Sequence, residues 1–338
     1  MVFGRRMSVH QRPMGEVRSA QQKCVRRAML EPLIRLNLEH LLSTPDFSRA
    51  ALSRMQVIAA EDVGAASPGL VARLVELEQG WSGLERQERA RRLIEASHCC
   101  VQTTASRFVP HWAITLVTGV PTDGGGQWRP LEVLLSELRR ALEARELEQA
   151  GLAVEEIFVR HPIGDEAPLP EPIGLPRRAM ASVWEVLEEG CAQERQPWMR
   201  AWRRMFGPPS KEAIRSRLFL YLAVVDRIFE PPVPALEAPP LSDAKVKAYM
   251  EQAAAEPFVI PDWMLDKHTA RGRKRGQGQR QFLTEGAQLA HPSDVLGEHR
   301  EEAMFHRAVE IYLELERLYG RKSRTAHVRK RWRVEVAP

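Results

Sequence analysis

Apolar side chains recur at three- and four-residue spacing along most of this chain. In residues 17–42, Val25, Met29, Leu33, Leu36 and Leu41 form one stripe, which predicts helix. Ser19 stands at an N-cap position, and Pro32 is expected to divide the stretch into two helices. Thr44 or Asp46 caps the next helix, which turns Leu52, Met55, Ile58 and Ala59 inward until Gly64 stops it. Ser67 and Pro68 open another, ended by Gly80, and the stretch from Gly83 to Val109 adds one more. Further helices are predicted at 131–150, around Met180–Gln193, Lys211–Phe229 and Asp243–Glu256, and at Glu298–Tyr319. A glycine-bearing loop, "VPTDGGGQWRP" (120–130), and two proline-rich connectors (155–178 and 229–243) interrupt them. Only "EEIFV" (155–159) alternates with period two, as a strand would. Trp184, Trp198 and Trp202 fall near helical spacing with Met180, Met199, Met205 and Phe206 and read as core or as a partner-helix surface. The fold class is therefore mainly α: a multi-helix array with proline-rich connectors and a basic C-terminal segment. It divides into 1–118 (helical), 119–257 (helical with connectors) and 258–338 (a glycine-containing basic motif, a final helix and a basic tail).

Composition supports a globular chain: 338 residues, 44% apolar and 28% charged. The net charge of +5 is unevenly spread. Asp266 to Arg280 carries six Lys/Arg against one acid, Arg321 to Arg333 carries seven and none, and the remainder is net acidic. Such asymmetry points to a polyanionic partner met from the C-terminal side. Cys24, Cys99, Cys100 and Cys191 have no CxxC spacing and read as free thiols of a reducing compartment. No run approaches the ~18 apolar residues of a membrane span, so no membrane partner is expected. "MVFGRRMSVHQRPMG" lacks the apolar region of a secretory signal.

Several catalytic classes leave no trace. There is no GxxxxGK[ST], no GxGxxG after a predicted strand, no HExxH, no paired-cysteine zinc pattern and no GxSxG. No cofactor and no metal are expected.

Two stretches resemble a known family. "SAQQKCVRRAML" followed by "ALSRMQVIAAEDVGAASPGLVARLV" is similar to the helical collar after the ATPase module of RarA/WRNIP-type replication-associated proteins, relatives of clamp loaders. Ile58–Gly64 match closely, Met55 stands near the family's leucine, and Pro68 takes the place of its proline. "IPDWMLDKHTARGRKRGQGQRQFLTEGA" resembles a motif of stand-alone proteins that carry this collar without the AAA+ ATPase. Ile260–Asp262, Leu265–Thr269, Gly272–Arg273, Gly276, Phe282 and Glu285–Ala287 line up, with Trp263 in place of tyrosine. The resemblance covers roughly 16–110 and 258–290. It implies a clamp-loader-collar-like array and company in DNA replication or repair, with self-association or an AAA+ ATPase as partner. It implies a cytoplasmic, nucleoid-associated location, or a nuclear one in a eukaryote.

The residues themselves suggest nucleic-acid binding, and the resemblance puts DNA ahead of RNA. Lys267, His268, Arg271, Arg273, Lys274, Arg275 and Arg280 combine phosphate-binding donors with glycines that let the backbone approach. Arg321, Lys322, Arg324, Arg329, Lys330 and Arg331 form a second cluster around Trp332. Glu61 and Asp62, adjacent on a predicted helix, point about 100° apart; a structural or partner-contact role fits them better than a metal. Asp266 is read as a structural cap of the following turn. Two alternatives remain open: a nucleic-acid-processing enzyme with Asp266 orienting His268 as a base, with Glu285 nearby, and an RNA-associated assembly protein.

Overall fold

Leu33, Ile34, Leu36, Leu38 and Leu41 place apolar groups on more than one face of a helix, so that helix has to be wrapped by others. The computed structural model describes residues 7–119, 129–160, 175–206, 213–232, 236–293, 295–297 and 299–319. Among them the regular structure is helical and no β-strand forms. In chain order come α1 (Met14–Arg26), α2 (Leu30–Leu42), α3 (Pro45–Ile58), α4 (Gly69–Glu78), α5 (Arg86–Gln102) and α6 (Phe108–Gly119). Next are α7 (Leu131–Glu143), α8 (Leu147–Arg160), α9 (Leu175–Glu188), α10 (Gln196–Phe206) and α11 (Ala213–Phe229). Last come α12 (Asp243–Ala255), the short α13 (Ala270–Lys274) and α14 (Gln279–Gln281), and α15 (Arg300–Tyr319).

The chain folds as two compact units, Met1–Arg107 with Pro232–Val295, and Phe108–Pro231 with Leu296–Pro338. This cuts across the three stretches read from the sequence. The basic motif belongs with the N-terminal helices, and the final helix with the middle of the chain.

In the first unit α2 is the central helix: α1, α3, α5 and α12 all pack on it. Its apolar residues are buried, and so is Asn37, which accepts from Gln21 Nε2 at 2.6 Å and donates to Ser97 Oγ at 2.8 Å. The break between α1 and α2 falls at residues 27–29, ahead of Pro32. Ala28 is left-handed (φ 51°), its N–H donates to the Val25 carbonyl at 3.1 Å, and Met29 N–H donates to the Cys24 carbonyl at 2.8 Å. That pairing ends a helix. Pro32 then lies in the first turn of α2, where its missing N–H costs nothing. Gly64 does stop the third helix (φ 42°), after a π-helical turn at Ala59–Val63. Ser242 caps α12, its Oγ accepting from Lys245 N–H at 3.3 Å.

The second unit is built on large aromatics. Trp112, Trp184, Trp202 and Tyr221 are all buried. Trp198 is only half-buried, with the Arg195 guanidinium 5.3 Å from its ring centre. Gly151 lets α8 lie against α6: a Cβ there would fall 2.3 Å from the Trp112 ring. "EEIFV" is helical, within α8, because Ala150, Ala153, Val154 and Ile157 share the buried face and the alternation is a fragment of a helical stripe. No described helix is long and apolar enough to cross a membrane. All four cysteines are free and buried.

Candidate nucleic-acid interface

α1 carries Ser19, Gln22, Lys23 and Arg26 at i, i+3, i+4 and i+7, a polar stripe on one face of a helix. Ser19, Gln22, Lys23 and Arg26 are nonetheless buried, Lys23 and Arg26 each with 1% of their surface exposed. Buried charges require partners, and theirs come from two distant parts of the chain.

The first is the π turn after α3. Asp62, fully buried, accepts from Arg26 Nε at 2.7 Å and Gln22 Nε2 at 2.8 Å, with Arg107 Nη1 3.4 Å away. Its backbone carbonyl accepts from Ser106 N–H at 3.0 Å. Gln22 Nε2 also donates to Glu61 at 2.6 Å. The two adjacent carboxylates therefore do converge, on an amide rather than an ion, contrary to the divergence expected of an ordinary helix. Full burial leaves Asp62 out of reach of any partner surface. Burial would raise its pKa, but Arg26, Arg107 and Gln22 together overcome that and hold it below the usual carboxylate range.

The second is the motif itself. Lys23 Nζ pairs with Asp266 Oδ2, and Ser19 Oγ donates to the Met264 carbonyl at 2.7 Å. Arg26 Nη1 donates to the Gly286 carbonyl, and the Arg26 carbonyl accepts from Ala290 N–H at 2.7 Å. Arg27 Nη2 reaches the Glu285 carbonyl at 3.1 Å and Gln288 Oε1 at 2.9 Å. The two ends of the Lys23–Asp266 pair respond differently. Burial would raise Asp266, but Lys23 and the His268 N–H hold it below the usual range. Burial, joined by Arg26, takes Lys23 down to about 8. Both are charged at neutral pH. The Phe282 ring lies among the cations, with Lys267 Nζ at 5.0 Å and the Arg26, Lys23 and Arg107 groups at 5.5–5.7 Å from its centre.

A depressed carboxylate contributes stability that is complete above its unfolded pKa, about 3.9, and lost as pH falls through the folded value. The stability difference between the wild type and Asp266→Asn should therefore shrink as pH falls below about 4. Urea unfolding midpoints across that range check this; a difference that persists at low pH would mean the carboxylate charge does not matter.

Within the motif, Asp266 Oδ1 accepts from the His268 backbone N–H at 2.9 Å, and Thr269 Oγ1 caps α13 by accepting from Gly272 N–H at 2.9 Å. Asp266 thus holds the His268 backbone and leaves its imidazole unoriented, so the dyad of the enzyme reading does not form. The imidazole meets Phe282 edge-on with ring centres 5.1 Å apart. Although the residue keeps an open edge to solvent, burial of the ring and the cations Lys267, Lys23 and Arg26 lower its pKa to about 4 against the pull of Asp266. It is neutral at pH 7 and adds no positive charge. Lys267 is half-buried beside Phe282.

Outward from this platform Arg271, Arg273, Lys274, Arg275 and Arg280 are all exposed. Arg271 and Arg275 share Asp262, and Arg271 also lies 3.5 Å from Glu16. Arg273 Nη1 donates to the Lys267 carbonyl at 3.1 Å. Among the described residues Arg273, Lys274 and Arg280 have no carboxylate partner. Gly276 (φ 78°) turns the chain after α13. Glu285 is exposed. Arg321, Lys322, Arg324, Arg329, Lys330 and Arg331 lie outside the described residues. Among the described residues no group of His, Cys, Asp and Glu side chains is arranged to hold a metal ion.

Sequence reasoning missed Lys23, Arg26, Arg107 and Phe282, which build the platform. The signal for the first two was present as the polar stripe on α1. No family model, no curated protein and no solved structure matches this chain.

Proposed function

We propose that this chain is a DNA-binding accessory protein of replication, recombination or repair, and that the α13 segment grips the phosphate backbone. One observation carries the reading. Five exposed cations within ten residues stand on a segment pinned by the buried Lys23–Asp266 pair, with Asp262 and Glu16 as their carboxylate neighbours. Exposed ion pairs are weak, of order 0–1 kcal/mol, so Arg271 and Arg275 exchange Asp262 for phosphate at little cost. A pinned segment loses little conformational entropy on binding. Phosphate-directed cations of this kind supply affinity and salt dependence without sequence choice. The resemblance to RarA-type collars supports the DNA setting and an AAA+ ATPase or a second copy as partner.

The Arg271→Ala/Arg273→Ala/Arg275→Ala variant should keep its circular dichroism spectrum and bind duplex DNA more weakly. The slope of log affinity against log salt should fall by about 1 for each phosphate that the variant no longer neutralises. An unchanged slope removes the segment from the interface. Stronger binding to RNA than to either DNA form would favour an RNA-assembly role instead.

A further inference from the structure

In the second unit, the corner after α7 places an arginine where glycine is cheapest. Arg145 is left-handed (φ 56°), its N–H donates to the Leu142 carbonyl at 3.2 Å, and Glu146 N–H donates to the Ala141 carbonyl at 2.8 Å. This helix ending usually has glycine at the left-handed position. Five non-glycine residues among those described are left-handed, and three of them belong to one neighbourhood. Glu230 accepts from Arg145 Nη2 at 3.0 Å, and His299 directly precedes Arg300. Arg145 and Arg300 both line a cleft of about 990 Å³ between the α7–α8 corner and the first turns of α15.

The cleft is lined by four guanidinium groups, Arg140, Arg145, Arg300 and Arg307, against Glu146 and Glu148, with an apolar patch that includes Met304. Arg307 lies 3.4 Å from Glu148, and Arg145 pairs with Glu230; both are exposed pairs that exchange readily. Arg140 and Arg300 have no carboxylate partner among the described residues. The Arg300 guanidinium lies 5.1 Å from the centre of the Phe229 ring, which fixes its place and leaves its N–H groups available. With Arg307 and Arg145 paired, Arg140 and Arg300 leave the cleft with positive charge that an anion would offset.

We propose that this cleft is a binding site for a small phosphate ester of nucleotide size. Guanidinium groups contributed to the same cleft by α7, its corner and α15 suit a polyphosphate with many acceptor oxygens better than a carboxylate, which one fork satisfies. The volume is that of a small-molecule site, and the apolar patch receives the organic part. The cleft is independent of the α13 segment.

The test is calorimetric titration of the full chain with ATP, inorganic pyrophosphate and citrate at low and high salt. ATP and pyrophosphate should bind, and citrate should bind at least about tenfold more weakly. Arg140→Gln/Arg300→Gln should lose at least about tenfold in affinity with an unchanged melting temperature. Arg145→Gly should bind more weakly yet melt at a higher temperature, because glycine relieves the left-handed position; a purely structural arginine would not separate the two readouts. No binding of ATP or pyrophosphate at low salt, or equal binding of citrate, overturns the proposal. So does binding that survives Arg140→Gln/Arg300→Gln but disappears in Arg271→Ala/Arg273→Ala/Arg275→Ala.

Discussion

Gly272→Ala should be the most damaging single substitution in the basic motif, destabilising it by more than about 4 kcal/mol. A Cβ on Gly272 would fall 2.1 Å from the Asp266 carbonyl oxygen, 2.6 Å from its carbon and 2.6 Å from the Leu265 oxygen. All three obstacles are backbone, and the same stretch carries the Lys23–Asp266 pair and the Thr269 cap, so it cannot step aside without breaking both. Alanine favours helix over glycine by only about 1 kcal/mol, far less than the clash costs. The substitution should lower the melting temperature or, if the loss is local, abolish hydrogen-exchange protection across 262–287. A variant that melts within a degree or two of the wild type with its motif still protected would show that the two backbone segments do not approach so closely.

Asp62→Ala should cost about 3–5 kcal/mol, the usual penalty for removing one member of a buried ion pair. The loss comes less from the carboxylate than from what it leaves behind. Arg26 and Arg107, 1% and 8% exposed, would face each other without their shared counter-charge. Asp62→Asn, which keeps an acceptor and the volume, should fall between. Urea denaturation gives the measurement; a shift below about 1 kcal/mol would mean that water already reaches these groups.

Helix ends were legible where their chemistry is local. Gly64 and Gly80 end helices as read, because one left-handed residue decides the matter. The α1–α2 break was misplaced because Ala28 takes the left-handed position, and alanine gives no such signal. In α10 the aromatics and methionines already show helical spacing, and Pro197 lies in the first turn, where proline suits a helix start. The exposed cations of the motif were legible from composition alone. What holds them was not: Lys23, Arg26 and Asp62 find their partners across 36 to 260 residues, and no local pattern encodes such pairings. α1 joins the distant stretches physically: Arg26 bonds both Asp62 of the π turn and the Gly286 carbonyl of the motif.

The separation of Lys23 from Asp266 by 243 positions has a consequence for biogenesis. At ribosomal speeds of about 5–20 residues per second, roughly 12–50 s pass between the emergence of the lysine and that of its counterpart. Until then α1 carries two cations whose enclosure is half built, so the N-terminal helices cannot complete their packing as they leave the ribosome. The first unit must wait until residues 108–231 of the second have been translated, and the arrival of the motif is the step that closes it.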